Sequence, residues 1–229
     1  MRKYFIISII SISLICCKKE SEKPSSVQSS KPENVNIDVK ISDPEIDYLE
    51  FKPDSISNVK IEGFEVISSY SYNQTKFVTG YYNPVDGKTV TPDTEKDNGQ
   101  RLLVLNNKNE IIFKGQGGGD TYLYQPHFYK NKIDGKILIV CQLAFEYFFG
   151  GEVFLLENNS VKYVGNIDLE PFDMETSMTD VLKIYEKKNA IHFKFDSDSL
   201  LLKPGNEDIA IKNKDTEYIY EKGILKFKK

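Results

Sequence analysis

Short apolar runs, many of them alternating with polar residues, recur from about residue 59 to the end of the chain, and no long stretch repeats at the period of a helix. Alternation at a period of two, broken by Asn, Asp and Gly, is the pattern of strands joined by tight turns. It predicts strands over residues 59–70, 76–82, 101–105, 110–114, 122–129, 136–145, 152–156, 161–169, 182–185, 190–195, 208–211, 217–220 and 224–227. Hairpin turns are expected at Asn106-Asn107-Lys108-Asn109, Asp134-Gly135, Asn158-Asn159-Ser160 and Lys222-Gly223, where Gly and Asn tolerate positive φ best. The run 136–145 is apolar at odd and even positions alike and reads as a central strand covered on both faces. One short helix is expected between Pro171 and Val181, capped by Ser177 or Thr179.

These elements imply an all-β body of antiparallel meanders. His127-Phe128-Tyr129-Lys130-Asn131-Lys132 through Ile139 is echoed by Lys183-Ile184-Tyr185-Glu186-Lys187-Lys188 through Phe193. Each is a strand, a polar turn and a second apolar strand. Two arrangements fit: a twisted sandwich, or an incomplete propeller-like meander, since a closed propeller needs about four blades and the body has room for fewer.

The first residues follow another pattern. Met1-Arg2-Lys3 carries two positive charges, and the run from Tyr4 to Ile15 is apolar apart from serines. That is shorter than the roughly 20 residues a spanning helix needs, and it fits an export signal. The run stops at Leu14-Ile15-Cys16-Cys17. This resembles the lipobox of bacterial lipoproteins, in which an aliphatic, a variable and a small residue precede the modified cysteine. The resemblance implies cleavage after Cys16, a departure from the usual Gly, Ala or Ser, and acyl chains on Cys17. Such chains anchor stably, because each buried methylene contributes about 0.8 kcal/mol. The expected organisation is a signal peptide over 1–16, a lipidated cysteine and tether over 17–43, and one β-rich domain over 44–229.

The tether is rich in Ser, Lys and Glu and has no aromatic residue, so it buries too little apolar surface to offset its ordering entropy. Lys18-Lys19-Glu20-Ser21-Glu22 resembles the charged stretch after the cysteine in surface-exposed lipoproteins of Bacteroidota. The expected location is therefore the cell envelope, at the outer membrane, with the periplasmic and surface faces both open.

Composition narrows the chemistry. The net charge of −4 becomes more negative once Arg2 and Lys3 leave, which argues against a nucleic-acid partner. Of the three cysteines only Cys141 stays as a free thiol, within an apolar strand, where it reads as a small buried hydrophobe. His127 and His192 have no metal partner at close spacing, and His192 is expected to be an exposed strand residue. Asp196-Ser197-Asp198-Ser199 lacks the glycine and distal glutamate of a calcium loop. No metal, cofactor or catalytic residue is assigned from the sequence.

Two stretches remain as ligand-binding candidates. Gly117, Gly118, Gly119 and Asp120 belong to a glycine-rich run without the signature of a phosphate loop, and a strand, not a helix, follows it. The other stretch is Phe145-Glu146-Tyr147-Phe148-Phe149. Alternation places Phe145, Tyr147 and Phe149 on one face, where stacked aromatics beside a carboxylate suit a sugar or an apolar peptide. Tyr70, Tyr72, Tyr81 and Tyr82 raise the same possibility. The leading expectation is a non-enzymatic envelope module for a protein, glycan or envelope component. The alternatives are a hydrolase of envelope or imported polymer, working through carboxylates such as Asp120 and Glu146, and an inhibitor or immunity-type lipoprotein.

Overall fold

The first strand of the described residues is one that the periodicity did not announce, β1 (Ile46–Phe51). A computed structural model describes residues 43–83, 98–146, 148–171, 176–195, 200–203, 206–212 and 216–228. The signal, Cys17, nearly all of the tether, Tyr147 and Asp196 to Ser199 lie outside the described residues. After β1 come β2 (Asp54–Ser55), β3 (Phe64–Tyr72), β4 (Thr75–Tyr82), β5 (Arg101–Leu105) and β6 (Ile111–Lys114). A second meander follows as β7 (Leu123–Asn131), β8 (Ile137–Ala144), β9 (Phe148–Glu157) and β10 (Ser160–Ile167). Then come β11 (Glu170–Pro171), α1 (Met178–Val181), β12 (Leu182–Lys187), β13 (Ala190–Phe195), β14 (Leu200–Lys203), β15 (Asn206–Lys212), β16 (Glu217–Glu221) and β17 (Ile224–Lys228).

The strands form three antiparallel sheets. The largest runs β10-β9-β8-β7-β1-β12-β13-β16-β17, and a five-stranded meander runs from β2 to β6. The third joins β11, β14 and β15. The all-β expectation holds, with one short helix.

The nine-stranded sheet curls until its two edges meet. Leu138, Val140, Val153 and Leu155 of β8 and β9 share one core with Ile191, Phe193, Phe195 and Tyr218, which lie several strands away in sheet order. Only a strongly curled sheet brings them together. At the meeting edges β10 lies against β17, and a Cβ at Gly165 would sit 2.8 Å from the Leu225 side chain. Among the described residues no ladder joins these edges.

The opposite face of β7 to β9 packs on the five-stranded sheet. Phe128, Ile139, Cys141 and Phe154 meet Phe77, Leu102 and Val104 there. Every residue of β8 is therefore buried, because its even positions face the curled interior and its odd positions face the second sheet. This is a sandwich on one side of a nearly closed sheet. The two echoed hairpins, β7-β8 and β12-β13, flank β1 in the same sheet and are not separate blades.

Positive-φ pairs close the hairpins, at Asn73-Gln74, Asn158-Asn159, Lys188-Asn189 and Lys222-Gly223, as primed two-residue turns require. Two boundaries move by four or more residues from the predicted ones. Strand β3 starts at Phe64, not residue 59, because Gly63 at φ 68° turns the chain and Phe64 N–H donates to the Ile61 carbonyl at 3.1 Å. Strand β9 starts at Phe148, not residue 152, and so contains Gly150 and Gly151. A Cβ at Gly150 would lie 2.1 Å from the Ile167 carbonyl oxygen, so close backbone approach, not a turn, sets that glycine. Helix α1 is capped by Ser177 in a reciprocal box with Asp180.

His192 is not exposed as its strand pattern implied. It stacks on Tyr185 with ring centroids 4.7 Å apart, and its Nδ1 lies 2.9 Å from Glu217 Oε1. Cross-strand neighbours cover it, which a single strand's alternation does not reveal. Burial alone would raise the Glu217 carboxyl, but hydrogen bonds from His192 and Tyr185 and the Lys194 charge outweigh it and hold Glu217 below its ordinary value of 4.5. A depressed folded value stabilises above the unfolded one, and that stability is lost as pH falls through the folded value. Glu217→Gln is therefore expected to flatten the acid limb of a urea-stability titration between about pH 5 and pH 3. Superimposable acid limbs for the two proteins would refute this role.

Candidate functional site

The glycine-rich loop is held by backbone on backbone. Gly115 N–H donates to the Leu102 carbonyl at 2.8 Å, Gly118 N–H to Gln100 at 2.8 Å and Gly119 N–H to Asn98 at 3.0 Å. The loop thus extends the β5-β6 pairing past the strand ends. Gly99 and Gly119 form a parallel bridge, and a Cβ on Gly99 would fall 1.8 Å from the Gly119 carbonyl oxygen. Gly119 itself sits at φ 69°, where a side chain is strained. The glycines are there for close approach and left-handed backbone. Gln100 Nε2 then ties the exit of the loop by donating to the Thr121 and Tyr122 carbonyls, each at 3.2 Å.

This arrangement leaves a cleft of about 310 Å³ between the end of β4 and the loop, lined among others by Tyr81, Tyr82, Asn98, Gln100, Asp120 and Thr121. Asn98 Nδ2 lies 3.5 Å from Asp120 Oδ1, at the limit of a hydrogen bond. Tyr82 is fixed from behind by Arg101, whose guanidinium carbon stands 5.1 Å from the ring centroid, and by Lys114 Nζ at 4.9 Å. The Tyr81 phenol is shifted up by its hydrogen bond with Glu65 and stays neutral near pH 7. Thr121 is 6% exposed, and its hydroxyl has no hydrogen-bond partner among the described residues. A buried hydroxyl left unpaired costs about 1–3 kcal/mol, so a polar group reaching it gains that much.

The aromatic run adjoins this cleft. Tyr122 N–H donates to the Ala144 carbonyl at 3.1 Å, which joins the loop exit to the β8-β9 turn. The run is not one continuous strand, since β8 ends at Ala144 and β9 begins at Phe148. Phe145 and Phe149 still meet, each following one residue of the pair Ala144 and Phe148, and they stack at 4.7 Å with planes 8° apart. Phe145 is 46% exposed and Tyr122 64%. Tyr147 lies outside the described residues. Tertiary structure thus brings together the two stretches singled out in the sequence, with Tyr122 between them. Sequence reasoning missed Asn98, Gln100 and Thr121. Their one signal was amide and hydroxyl residues flanking glycines, which is common in any loop.

The two candidate carboxylates do not share the cleft. Asp120 lines the cleft, whereas Glu146 sits in the exposed turn and is not among the lining residues. Burial pushes Glu152 up, against a hydrogen bond from Tyr124 and the charge of Arg101. Glu152 is buried at 8% exposure. Cys141 is buried at 0% exposure and burial pushes its thiol up, so it packs as a hydrophobe. Among the described residues no group of His, Cys, Asp or Glu is placed to hold a metal ion, and no helix is long and apolar enough to cross a membrane.

Set against models of protein families, curated proteins and solved structures, the chain matches none.

Proposed function

We propose that the chain is a lipid-anchored envelope lipoprotein whose β body binds a glycan at the cleft beside Asp120. The observation that carries this reading is the mixture lining that cleft. Two tyrosine rings, two amide side chains, a carboxylate and an unpaired buried hydroxyl converge on a space of about 310 Å³. Sugars present hydroxyls that need both donors and acceptors, and C–H faces that pack on aromatic rings. The exposed Phe145–Phe149 stack and Tyr122 extend the aromatic surface beyond the cleft for a longer polymer. The anchor rests on the lipobox-like Leu14-Ile15-Cys16-Cys17, and acylation there would hold the body at the outer membrane.

The test is affinity electrophoresis and calorimetry of the full chain in nonionic detergent against a panel of neutral and acidic polysaccharides. One polysaccharide class should bind, with affinity reduced about tenfold, roughly 1.4 kcal/mol, by Asp120→Ala or Tyr122→Ala. Radiolabelled palmitate should enter the protein in cells and be lost in Cys17→Ser. The glycan reading is overturned if the whole panel fails to bind, or if both site variants bind as the parent does.

A further inference from the structure

The curled sheet has a seam. Strand β1 pairs with β12 only over Ile46↔Glu186, Asp47↔Tyr185 and Tyr48↔Ile184. Beyond Tyr48 it stays with β7, through Glu50↔Tyr129 and Phe51↔Phe128, while Leu182 and Lys183 of β12 pair with β13 alone. The two strands part there, and Thr179 and Asp180 of α1 line the opening. The result is a cleft of about 660 Å³, whose lining includes Tyr48, Glu50, Tyr129, Asp180, Leu182 and Ile184.

Three groups converge on this cleft, the buried Tyr129 hydroxyl and the exposed carboxylates of Glu50 and Asp180. Tyr129 is 4% exposed, and its hydroxyl has no hydrogen-bond partner among the described residues. Glu50 is the direct cross-strand partner of Tyr129, so the two side chains share a face. Asp180 arrives with α1, which His127 holds in place by its Nε2, 3.4 Å from Thr179 Oγ1, while its Nδ1 lies 3.1 Å from Glu50 Oε1. Burial first, and then the charges of Glu50 and Asp180, push the Tyr129 phenol up, which agrees with both carboxylates standing near its hydroxyl. The other carboxylates around the cleft are paired with lysines. Glu45 pairs with Lys187 at 2.9 Å and Asp47 with Lys132 at 2.8 Å, and Lys194 lies 3.8 Å from Glu217. Glu50 faces only His127, and the Asp180 carboxylate takes its hydrogen bonds from Ser177. Among the described residues neither pairs with a lysine or arginine.

We propose that this seam binds a protonated primary amine carried on an aliphatic stem. The ammonium has three donors and no acceptor. It fits between the Glu50 and Asp180 carboxylates and donates its third hydrogen to the Tyr129 hydroxyl oxygen, a buried polar atom without a partner among the described residues. The stem lies along Tyr48, Leu182 and Ile184, whose apolar surface rewards methylenes and not water. A neutral alcohol of the same length satisfies the hydroxyl but gains no attraction from the two carboxylates, so charge sets the selectivity. The same chemistry is offered by a free alkyl diamine and by a lysyl side chain on a polymer.

The experiment is isothermal titration of the full chain in nonionic detergent at neutral pH. The probes are 1,5-diaminopentane, the tripeptide Ala-Lys-Ala and, as neutral control, 1,5-pentanediol, each measured on the parent and on Tyr129→Phe. At least one amine should bind ten or more times tighter than the diol. Tyr129→Phe should weaken that amine about tenfold while leaving the melting temperature of the free protein unchanged or higher, since it removes a hydroxyl that has no partner. Binding of the diamine alone identifies a free small amine as the ligand class, and binding of the tripeptide identifies a lysyl side chain. The inference is overturned if neither amine binds, if the diol binds as well, or if Tyr129→Phe retains full affinity. None of these residues lines the Asp120 cleft, so either site can fail its test without touching the other.

Discussion

Phe154→Ala is expected to remove about 3–5 kcal/mol of stability, the cost of emptying a fully buried phenylalanine site. Phe154 is 0% exposed and points from β9 toward the five-stranded sheet. Its ring meets Phe113 at 5.6 Å and Tyr163 at 5.5 Å. Its tip also lies against the glycine loop, because a Cβ on Gly115 would sit 3.5 Å from Phe154 Cζ. The surroundings cannot collapse into the vacated space, since β8 and β9 are clamped by the curled core on their other face. For a body of this size the melting temperature should fall by roughly 10 °C. Urea denaturation checks the magnitude, with Ile67→Ala as a control at a residue 52% exposed, expected to change stability by no more than about 0.5 kcal/mol. A loss below about 1 kcal/mol for Phe154→Ala would mean that the two sheets do not pack as described.

Gly99→Ala is the second large effect, and it joins fold to site. The new methyl would stand 1.8 Å from the Gly119 carbonyl oxygen, and the backbone at φ 89° is one that L side chains rarely adopt. Both costs act at once: strain of about 1–3 kcal/mol for the backbone, and forced separation of the bridge. The contact is backbone on backbone, so no side chain can swing away to relieve it. The bridge at 99 and 119 should open, and with it the cleft that Asn98, Gln100 and Asp120 line. Polysaccharide affinity should fall at least as far as in Asp120→Ala, with stability reduced by at least about 2 kcal/mol. Native affinity and native stability in this variant would mean that Gly99 and Gly119 do not meet.

Much of the local structure was legible because its causes are local. Asn158-Asn159 and Lys222-Gly223 carry the positive φ angles of two-residue turns, and few residue types accept those angles. Ser177, one of the two residues expected to cap α1, does so in a box with Asp180. The apolar run through β8 announced burial on both faces, and every residue of it is buried. Of the site, the glycine loop and the aromatic turn were each visible as composition. Their adjacency was not, since it rests on one hydrogen bond from Tyr122 to Ala144 and on the pairing of Leu123 with Ala144.

Strand β1 marks the boundary of that legibility. Its pattern Ile-Asp-Tyr-Leu-Glu-Phe buries Tyr48 but leaves Leu49 53% exposed, so no clean alternation announces it. Its partners β7 and β12 lie far along the chain, and pairing at such separation leaves no local trace. Yet β1 joins the two meanders into one sheet, lets that sheet curl to its meeting edges, and by parting from β12 after Tyr48 opens the seam. Sequence alone marked most of the strands, tight turns that reverse them, the strand covered twice and the place of the short helix. These follow from side-chain alternation, backbone sterics and capping within a few residues. Tertiary structure alone decided the order of strands in the sheets, the near closure and the two clefts, because these depend on which distant surfaces exclude water from each other.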